Sequence, residues 1–301
     1  MSRPLRAPLA AAAAVVLIGA GAGCGGTDEP SSAPTPSRPP SASTPANPAP
    51  SSSTSASPTP TPPPRPGTTP PAWLGTRELP TGPDGYAAAQ TTPPELRRRA
   101  FTLPDPVRML PGRGYASRVV APAPAWVLAR STWRPGCPVA REQLAWLRVT
   151  FRGFDGARHT GELLVQRQDA DDLVQVFGDL WRADFPLERM VITTRADQDA
   201  TPTGDGNDTS AFVCRPITGG SSYSEHASGR AVDVNPFQNP YVRGDLVLPE
   251  LATSYARRTP VRPGMITADG PVVAAFARIG WGWGGAWTSL KDYQHFSATG
   301  R

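Results

Sequence analysis

The stretch from about Thr27 to Pro71 limits most strongly what this chain of 301 residues can fold into. It consists largely of Pro, Ser, Thr and Ala, and the whole chain contains 38 prolines. Such a composition offers too few large apolar side chains to form a hydrophobic core, so it predicts a disordered tether with polyproline character. We therefore expect the folded part to lie towards the C-terminus.

The first 23 residues have the pattern of a secretory signal. Arg3 and Arg6 precede an apolar run that reaches about Ala22. This run is shorter than the roughly 20 apolar residues that a membrane-spanning helix needs. It ends in Gly-Ala-Gly-Cys, which resembles a lipoprotein processing site and predicts cleavage before Cys24 with acylation of that residue. Ordinary signal cleavage without lipidation is the alternative.

From Trp126 onward, hydrophobic periodicity replaces the proline-rich composition. Apolar and polar residues alternate from Leu147 to Phe151, which predicts a strand. A Gly-Phe-Asp-Gly turn and a second predicted strand at 161–166 follow, so the two strands are expected to form a β-hairpin. One helix is predicted after Asp169 or Asp171, with apolar residues on one face, and Pro186 ends it. A second helix is predicted after Asp269, and Gly280 marks its C-terminal end.

Short β-branched runs predict further strands at 190–193, 211–217 and 231–234. Helices and strands in this order predict an α+β fold, with a small, mainly antiparallel sheet and flanking helices, preceded by the disordered tether. We divide the chain into a signal peptide at 1–23, a Pro/Ser/Thr-rich linker at 24–85, a Pro-rich lead-in at 86–125 and one folded domain at 126–301.

Two of the three histidines lie in polar motifs near the C-terminus. Asp233 follows His226 by seven residues, and His295 follows Asp292 by three. Catalytic zinc usually has three nitrogen or oxygen ligands and leaves the fourth position for water. His226, Asp233 and His295 can form such a set, with Asp292 as a base that is not a ligand. From spacing alone, these residues can equally be ordinary hydrogen-bonded polar groups.

The spacing between the last two of these residues also predicts local structure. On a regular strand, side chains three positions apart point to opposite faces. Asp292 and His295 can therefore share one site only if a turn or a bulge separates them, or if the base enters from a loop.

The wider motif resembles a known family. Ser-Glu-His-x-x-Gly-x-Ala-x-Asp at 224–233, followed by Asp-x-x-His-Phe at 292–296, is similar to the signature of the zinc D-alanyl-D-alanine carboxypeptidases of the VanY type. The L-alanyl-D-glutamate endopeptidases of phage and bacilli are relatives of these enzymes. The resemblance covers roughly residues 130–301.

The resemblance implies that His226, Asp233 and His295 bind Zn²⁺ and that Asp292 is the general base. It further implies an arginine that holds a substrate carboxylate or the developing oxyanion, and Arg215 is the best match. Arg215 lies closer to the first histidine than the corresponding arginine of better-known members does.

Two more residues are candidates for substrate binding. Ser224 flanks the first ligand, where it can orient the ligand or shape the loop. Trp287, like Trp281 and Trp283, can wall a substrate cleft, although core packing is an equally good interpretation for two of the three.

By resemblance, the substrate is a peptidoglycan stem peptide, and the expected activity is of the D-alanyl-D-alanine carboxypeptidase type. An L-alanyl-D-glutamate endopeptidase and a non-catalytic, zinc-containing wall-binding lipoprotein are the alternatives. A penicillin-sensitive serine enzyme is excluded, because it needs a Ser-x-x-Lys pair. The single lysine, Lys291, has Thr288 three positions before it.

The expected partners and location follow from these predictions. We expect the protein to be exported and lipid-anchored to the outer face of the cell membrane, and to act in the cell wall as a monomer. The net charge is +5, but no motif of interleaved basic and aromatic residues indicates nucleic acid.

Export also bears on the remaining cysteines. Cys137 and Cys214 are left when Cys24 is assigned to the anchor, and an oxidising compartment favours a disulfide between them. A closed loop of about 75 residues gives an entropic stabilisation of roughly 4 kcal/mol. The alternative is Cys214 as a metal ligand beside Arg215. His159, the third histidine, is expected to be structural or on the surface.

Overall fold

The computed structural model describes residues 65–83, 85–217 and 220–301. The predicted signal peptide, Cys24 and the predicted tether up to residue 64 lie outside the described residues. The α-helices of the described part are α1 (Ala125–Arg130), α2 (Ala170–Arg182), α3 (Arg195–Asp199), α4 (Thr253–Ala256) and α5 (Pro271–Arg278). Short 3₁₀ helices lie at Pro94–Leu96, Arg141–Gln143, Arg167–Asp169, Glu225–Ser228 and Gly284–Ala286.

The β-strands of the same residues are short apart from two. They are β1 (Ser117–Val120), β2 (Leu144–Gly153), β3 (Arg158–Gln166), β4 (Pro186–Leu187), β5 (Arg189–Met190), β6 (Asp208–Thr209), β7 (Ala231–Asp233), β8 (Tyr241–Arg243), β9 (Leu246–Leu248), β10 (Gly282–Trp283), β11 (Lys291–Asp292) and β12 (His295–Ser297).

The long strands β2 and β3 form the predicted hairpin. They pair antiparallel from Leu144 opposite Gln166 to Arg152 opposite Arg158. β1 joins the other side of β2 antiparallel, and β4 pairs in parallel with the end of β2. The alternation seen in the sequence directs Leu147, Val149 and Phe151 into one buried core.

Helices α2 and α5 cover this face of the sheet, as the two helical patterns predicted. Their apolar stripes include Leu173 and Phe177 on α2 and Phe276 on α5, each at most 1% exposed. Full burial of one such side chain stabilises the fold by about 1.5–3 kcal/mol. Gly280 follows α5 with φ of +77°, the left-handed conformation that ends helices and favours glycine.

The remaining strands form small sheets. β10, β12 and β7 form one antiparallel sheet in that order, β11, β8 and β9 form another, and β5 pairs with β6 in parallel. The predicted α+β class with a mainly antiparallel arrangement is confirmed. No helix among the described residues combines the length and the apolar character needed to cross a membrane.

Two of the three short strand predictions need correction. The predicted strand at 211–217 is wrong, because its backbone groups bond to different elements instead of one neighbour. Phe212 N–H donates to the Leu164 carbonyl, and Val213 N–H donates to the His226 carbonyl. The strand predicted at 190–193 is shorter and shifted to β5, whereas the strand at 231–234 is found as β7.

Residues 65–125, predicted as linker and lead-in, contribute to the packed structure. Leu96 and Phe101 are buried against Phe237 and Tyr255 in a separate apolar cluster. Buried Arg99 forms an ion pair of 2.6 Å with Glu188. Packing therefore begins before residue 126, because a few large apolar residues among the prolines reach the core.

Candidate metal centre

Three predicted ligands meet where two antiparallel strands and one 3₁₀ turn come together. Asp233 lies on β7 and His295 on β12, and the strand register places them directly opposite each other. Opposed residues of an antiparallel pair share a face with Cβ atoms about 4.5–5.5 Å apart. His226 lies on the 3₁₀ helix Glu225–Ser228, which leads into β7.

Gly229 makes this connection possible. It ends the 3₁₀ helix with φ of +73°, and a Cβ there would lie 2.8 Å from the backbone nitrogen of Gln166. Any other residue would therefore be strained and would push β3 away.

The distances between the three ligand atoms fit a zinc ion. His226 Nε2 lies 3.2 Å from His295 Nδ1 and 3.3 Å from Asp233 Oδ1, and His295 Nδ1 lies 3.1 Å from Asp233 Oδ1. Tetrahedral zinc with bonds of about 2.0–2.1 Å has ligand atoms about 3.3 Å apart. The three atoms therefore form one face of such a tetrahedron, and the fourth corner faces away from them.

Backbone oxygens orient both imidazoles. His226 Nδ1 donates to the Ala211 carbonyl at 2.6 Å, and His295 Nε2 donates to the backbone oxygen of Arg301 at 3.2 Å. Each ring thereby keeps an unprotonated nitrogen towards the centre, which is how histidine ligands of metals are usually held.

The electrostatics of the cluster favour a bound cation. Burial alone would raise the pKa of Asp233, but the two neighbouring histidines outweigh burial and lower the pKa well below its usual range. Burial lowers the pKa of His295, whereas the hydrogen bond and charge of Asp233 raise it, with a net rise. The half-buried carboxylate is therefore ionised and needs a positive partner, either a proton on a histidine or a metal ion.

Asp292, the predicted base, reaches the centre from another sheet. It lies at the end of β11, where it pairs with Tyr241 of β8. Residues 293 and 294 separate β11 from β12, so the predicted break before His295 is confirmed. Oδ1 of Asp292 is buried without a hydrogen-bond partner in the described structure. Burial, and then the charge of Asp233, raise the pKa of Asp292 to about 6.

The turn Gly284–Trp287 packs against the base. A Cβ on Gly284 would lie 2.7 Å from the backbone oxygen of Asp292, so only glycine allows this approach. The ammonium group of Lys291 donates to the carbonyls of Gly285 and Trp287 and fixes the turn. The ring of Trp287 lies 5.6 Å from that of His295, centroid to centroid. This predicted substrate-binding residue therefore borders the cluster.

The other two predicted site residues have local contacts. Ser224 Oγ accepts the His226 backbone N–H at 3.4 Å, so it caps the 3₁₀ helix that carries the first ligand. Arg215 donates from its side chain to the Pro216 carbonyl at 3.1 Å. Within the described residues, its guanidinium forms no hydrogen bond or ion pair with the three ligands. The substrate roles of both residues stay predictions.

Cys137 and Cys214 form the disulfide that the sequence favoured, with a sequence separation of 77 residues. The pairing removes Cys214 as an alternative metal ligand. The third histidine, His159, bonds Asp105 at 2.8 Å and Asp155 at 3.1 Å, a structural role as expected. In the described part of the chain, His226, Asp233 and His295 are the one group of three such side chains that could hold a metal ion.

Comparison with known families agrees with the geometry. Residues 218–298 match the family model described as D-alanyl-D-alanine carboxypeptidase, which confirms the resemblance and supports a peptidase related to this family. The matched segment contains the three ligands and Asp292 but begins after Arg215. Searches of curated proteins and of solved structures found no match.

Proposed function

We propose that this protein is a zinc-dependent peptidase that hydrolyses peptidoglycan stem peptides, of the D-alanyl-D-alanine carboxypeptidase type. The observation that carries the proposal is the triangle of ligand atoms with sides of 3.1–3.3 Å. The charges of all three ligands act on Asp292, an acid outside the triangle. Two histidines and one aspartate with an open fourth position are typical of catalytic zinc.

His226, Asp233 and His295 would hold the zinc ion, which would lower the pKa of a water molecule to about 7 and polarise the carbonyl under attack. The proton from the attacking water passes to Asp292, which then delivers it to the departing amine. Burial raises the pKa of Asp292 above that of an ordinary aspartate, so this carboxylate accepts a proton more readily, which suits a group that takes up a proton and then donates it. The unpartnered Oδ1 is available for this transfer.

The surrounding residues hold this arrangement. The Ala211 and Arg301 backbone oxygens keep the imidazoles turned towards the metal. Trp287 forms an apolar wall beside His295. Arg215 would pair with a substrate carboxylate or steady the oxyanion.

A non-catalytic, zinc-containing wall-binding protein is the contrasting hypothesis. Structural zinc is normally closed by four protein ligands. Within the described residues, three side chains converge, and Asp292 has an unpartnered oxygen and a raised pKa. These features favour the enzyme.

Defined muropeptides with mass analysis of the products test the activity. A carboxypeptidase releases D-alanine from a pentapeptide ending in D-Ala-D-Ala, whereas an L-alanyl-D-glutamate endopeptidase cleaves after the first residue of the stem. Chelation should abolish either reaction, and added zinc should restore it. If the zinc-loaded protein leaves the muropeptides intact, the proposed peptidase activity is contradicted.

The location is part of the proposal. We propose export and attachment to the outer face of the membrane through acylated Cys24, with the proline-rich stretch as a tether into the wall. Metabolic labelling with a fatty acid should mark the wild-type protein but not Cys24→Ser. Equal labelling of both would contradict the anchor.

A further inference from the structure

Two arginines of the main sheet lie directly opposite each other, and neither forms an ion pair within the described residues. β1 and β2 pair Arg118 directly with Arg148. Like charges directly opposite on neighbouring strands are destabilising. Within the described residues, neither guanidinium forms a hydrogen bond or an ion pair, and the buried Nε of Arg148 has no partner. Burial, and then the charge of Arg118, lower the pKa of Arg148.

Glu162 is the cross-strand partner of Arg148 on β3, and its charge partly offsets that of Arg148, but within the described residues it forms no ion pair with either arginine. Glu162 is buried on β3, and both of its oxygens already accept hydrogen bonds from Arg130. A further hydrogen bond of 2.7 Å comes from Trp146 Nε1. With three donors on one buried carboxylate, neither of the two opposed arginines forms a hydrogen bond with Glu162, so both guanidinium groups keep donors for an anion outside the chain.

An exposed indole borders the same arginines. Trp126 of α1 is 57% exposed, one of the few large apolar side chains on the described surface. Its ring meets that of Trp146 edge to face at 4.9 Å, and the guanidinium of Arg148 lies 4.4 Å over the Trp146 ring. The helix and the sheet therefore hold an apolar ring surface beside the guanidinium of Arg148, whose cross-strand partner on β1 is Arg118.

We propose that Trp126, Arg118 and Arg148 form a binding site for an anionic saccharide, a sugar ring that carries a carboxylate or a phosphate. Guanidinium groups bind either anion through paired, charge-assisted hydrogen bonds. The apolar face of the sugar would pack on the exposed indole, as aromatic side chains with one wet edge commonly do with ligands. None of the three residues belongs to the metal centre.

The like-charge pair gives the proposal a specific consequence. Removing one charge relieves repulsion in the free protein but removes an anion donor from the site. Arg118→Gln should therefore leave the unfolding temperature unchanged or raise it, while it weakens ligand binding. A merely structural arginine would behave in the opposite way, since its loss lowers stability.

Calorimetric titration of the full-length protein tests the site. The probes are trigalacturonate for a carboxylate, glucose 1-phosphate for a phosphate, and neutral galactotriose as the uncharged control. The variants are Arg118→Gln, Arg148→Gln and Trp126→Ala. Arg141→Gln is the matched control, because Arg141 is exposed and pairs only with its neighbour Glu142.

We expect at least one anionic probe to bind, with galactotriose much weaker. Each of the three variants should weaken binding about tenfold or more, and Arg141→Gln should not. The preferred probe identifies the anion. Equal binding of galactotriose, no binding of either anion, or no effect of the arginine variants would overturn the proposal. So would a dimer in sedimentation that Trp126→Ala dissociates, since a second copy would then occupy the surface.

Discussion

Replacement of Asp292 by Asn should stabilise the metal-free protein at neutral pH. Burial and the charge of Asp233 raise the pKa of Asp292 to about 6, against about 3.9 for an ordinary aspartate. At 1.36 kcal/mol per pKa unit, this difference corresponds to about 3 kcal/mol. The ionised carboxylate therefore destabilises the folded state, and an uncharged amide of similar shape removes this effect.

The pH dependence fixes the sign of the effect. Between about pH 4 and pH 6 the folded protein binds this proton more strongly than the unfolded chain does, so its stability falls as the pH rises. The variant lacks this titration. Its advantage in free energy of unfolding should be near zero at about pH 4 and should reach about 3 kcal/mol at about pH 8.

Urea unfolding of chelator-treated protein across this pH range measures the difference. Asp245→Asn is the matched control, because Asp245 is an exposed aspartate in a turn. With zinc restored, Asp292→Asn should keep its metal but lose about 10²–10⁴-fold in kcat. A variant that is no more stable than the wild type at about pH 8, or that hydrolyses at the wild-type rate, would refute the reasoning.

Three further predictions concern the metal, the turn beside the base and the disulfide. His226→Ala should reduce zinc from about one ion per chain to almost none by elemental analysis, whereas His159→Ala should not; equal zinc in both variants would contradict the site. Gly284→Ala should lower kcat by about 100-fold with zinc retained, because the new Cβ displaces the strand that carries the base. Gly114→Ala is its control, because a Cβ at this position meets nothing within 4 Å. An equal kcat in both variants would argue against this packing. Reduction of the disulfide should lower the free energy of unfolding by about 4 kcal/mol in urea, and an unchanged midpoint would show that the cross-link does not stabilise the fold.

The convergence of the three candidate ligands could be predicted from the sequence because their chemistry lies in side chains. His226, Asp233 and His295 were named before their geometry was known, and the structure brings their ligand atoms within 4.8 Å of one another. The break between Asp292 and His295 was also predictable, since strand periodicity does not allow both side chains on one face.

The groups that orient the histidines could not be predicted in this way. They are backbone oxygens of Ala211 and Arg301, and every residue offers such an oxygen. The same reason explains the wrong strand at 211–217. Its composition suits a strand, but its backbone groups bond to β3 and to the 3₁₀ helix that carries His226 instead of to one neighbouring strand.

The proline-rich lead-in shows another limit of composition. Prolines dominate residues 65–125, yet Leu96 and Phe101 pack into a core with Phe237 and Tyr255. A low average hydrophobicity along a segment does not show that a few of its apolar residues are buried. Burial depends on which distant residues they contact in the folded chain.

The opposition of Asp233 and His295 across β7 and β12 links metal capture to the alignment of distant segments. The two residues are 62 positions apart in sequence. A slip of one residue between the strands would turn the imidazole to the far side of the sheet and dismantle the chelate. A bound cation would therefore select for the correct strand register, because a chain whose strands pair one residue out of register could not retain the cation. If zinc binds here as proposed, its affinity would depend on the correct register of β7 and β12.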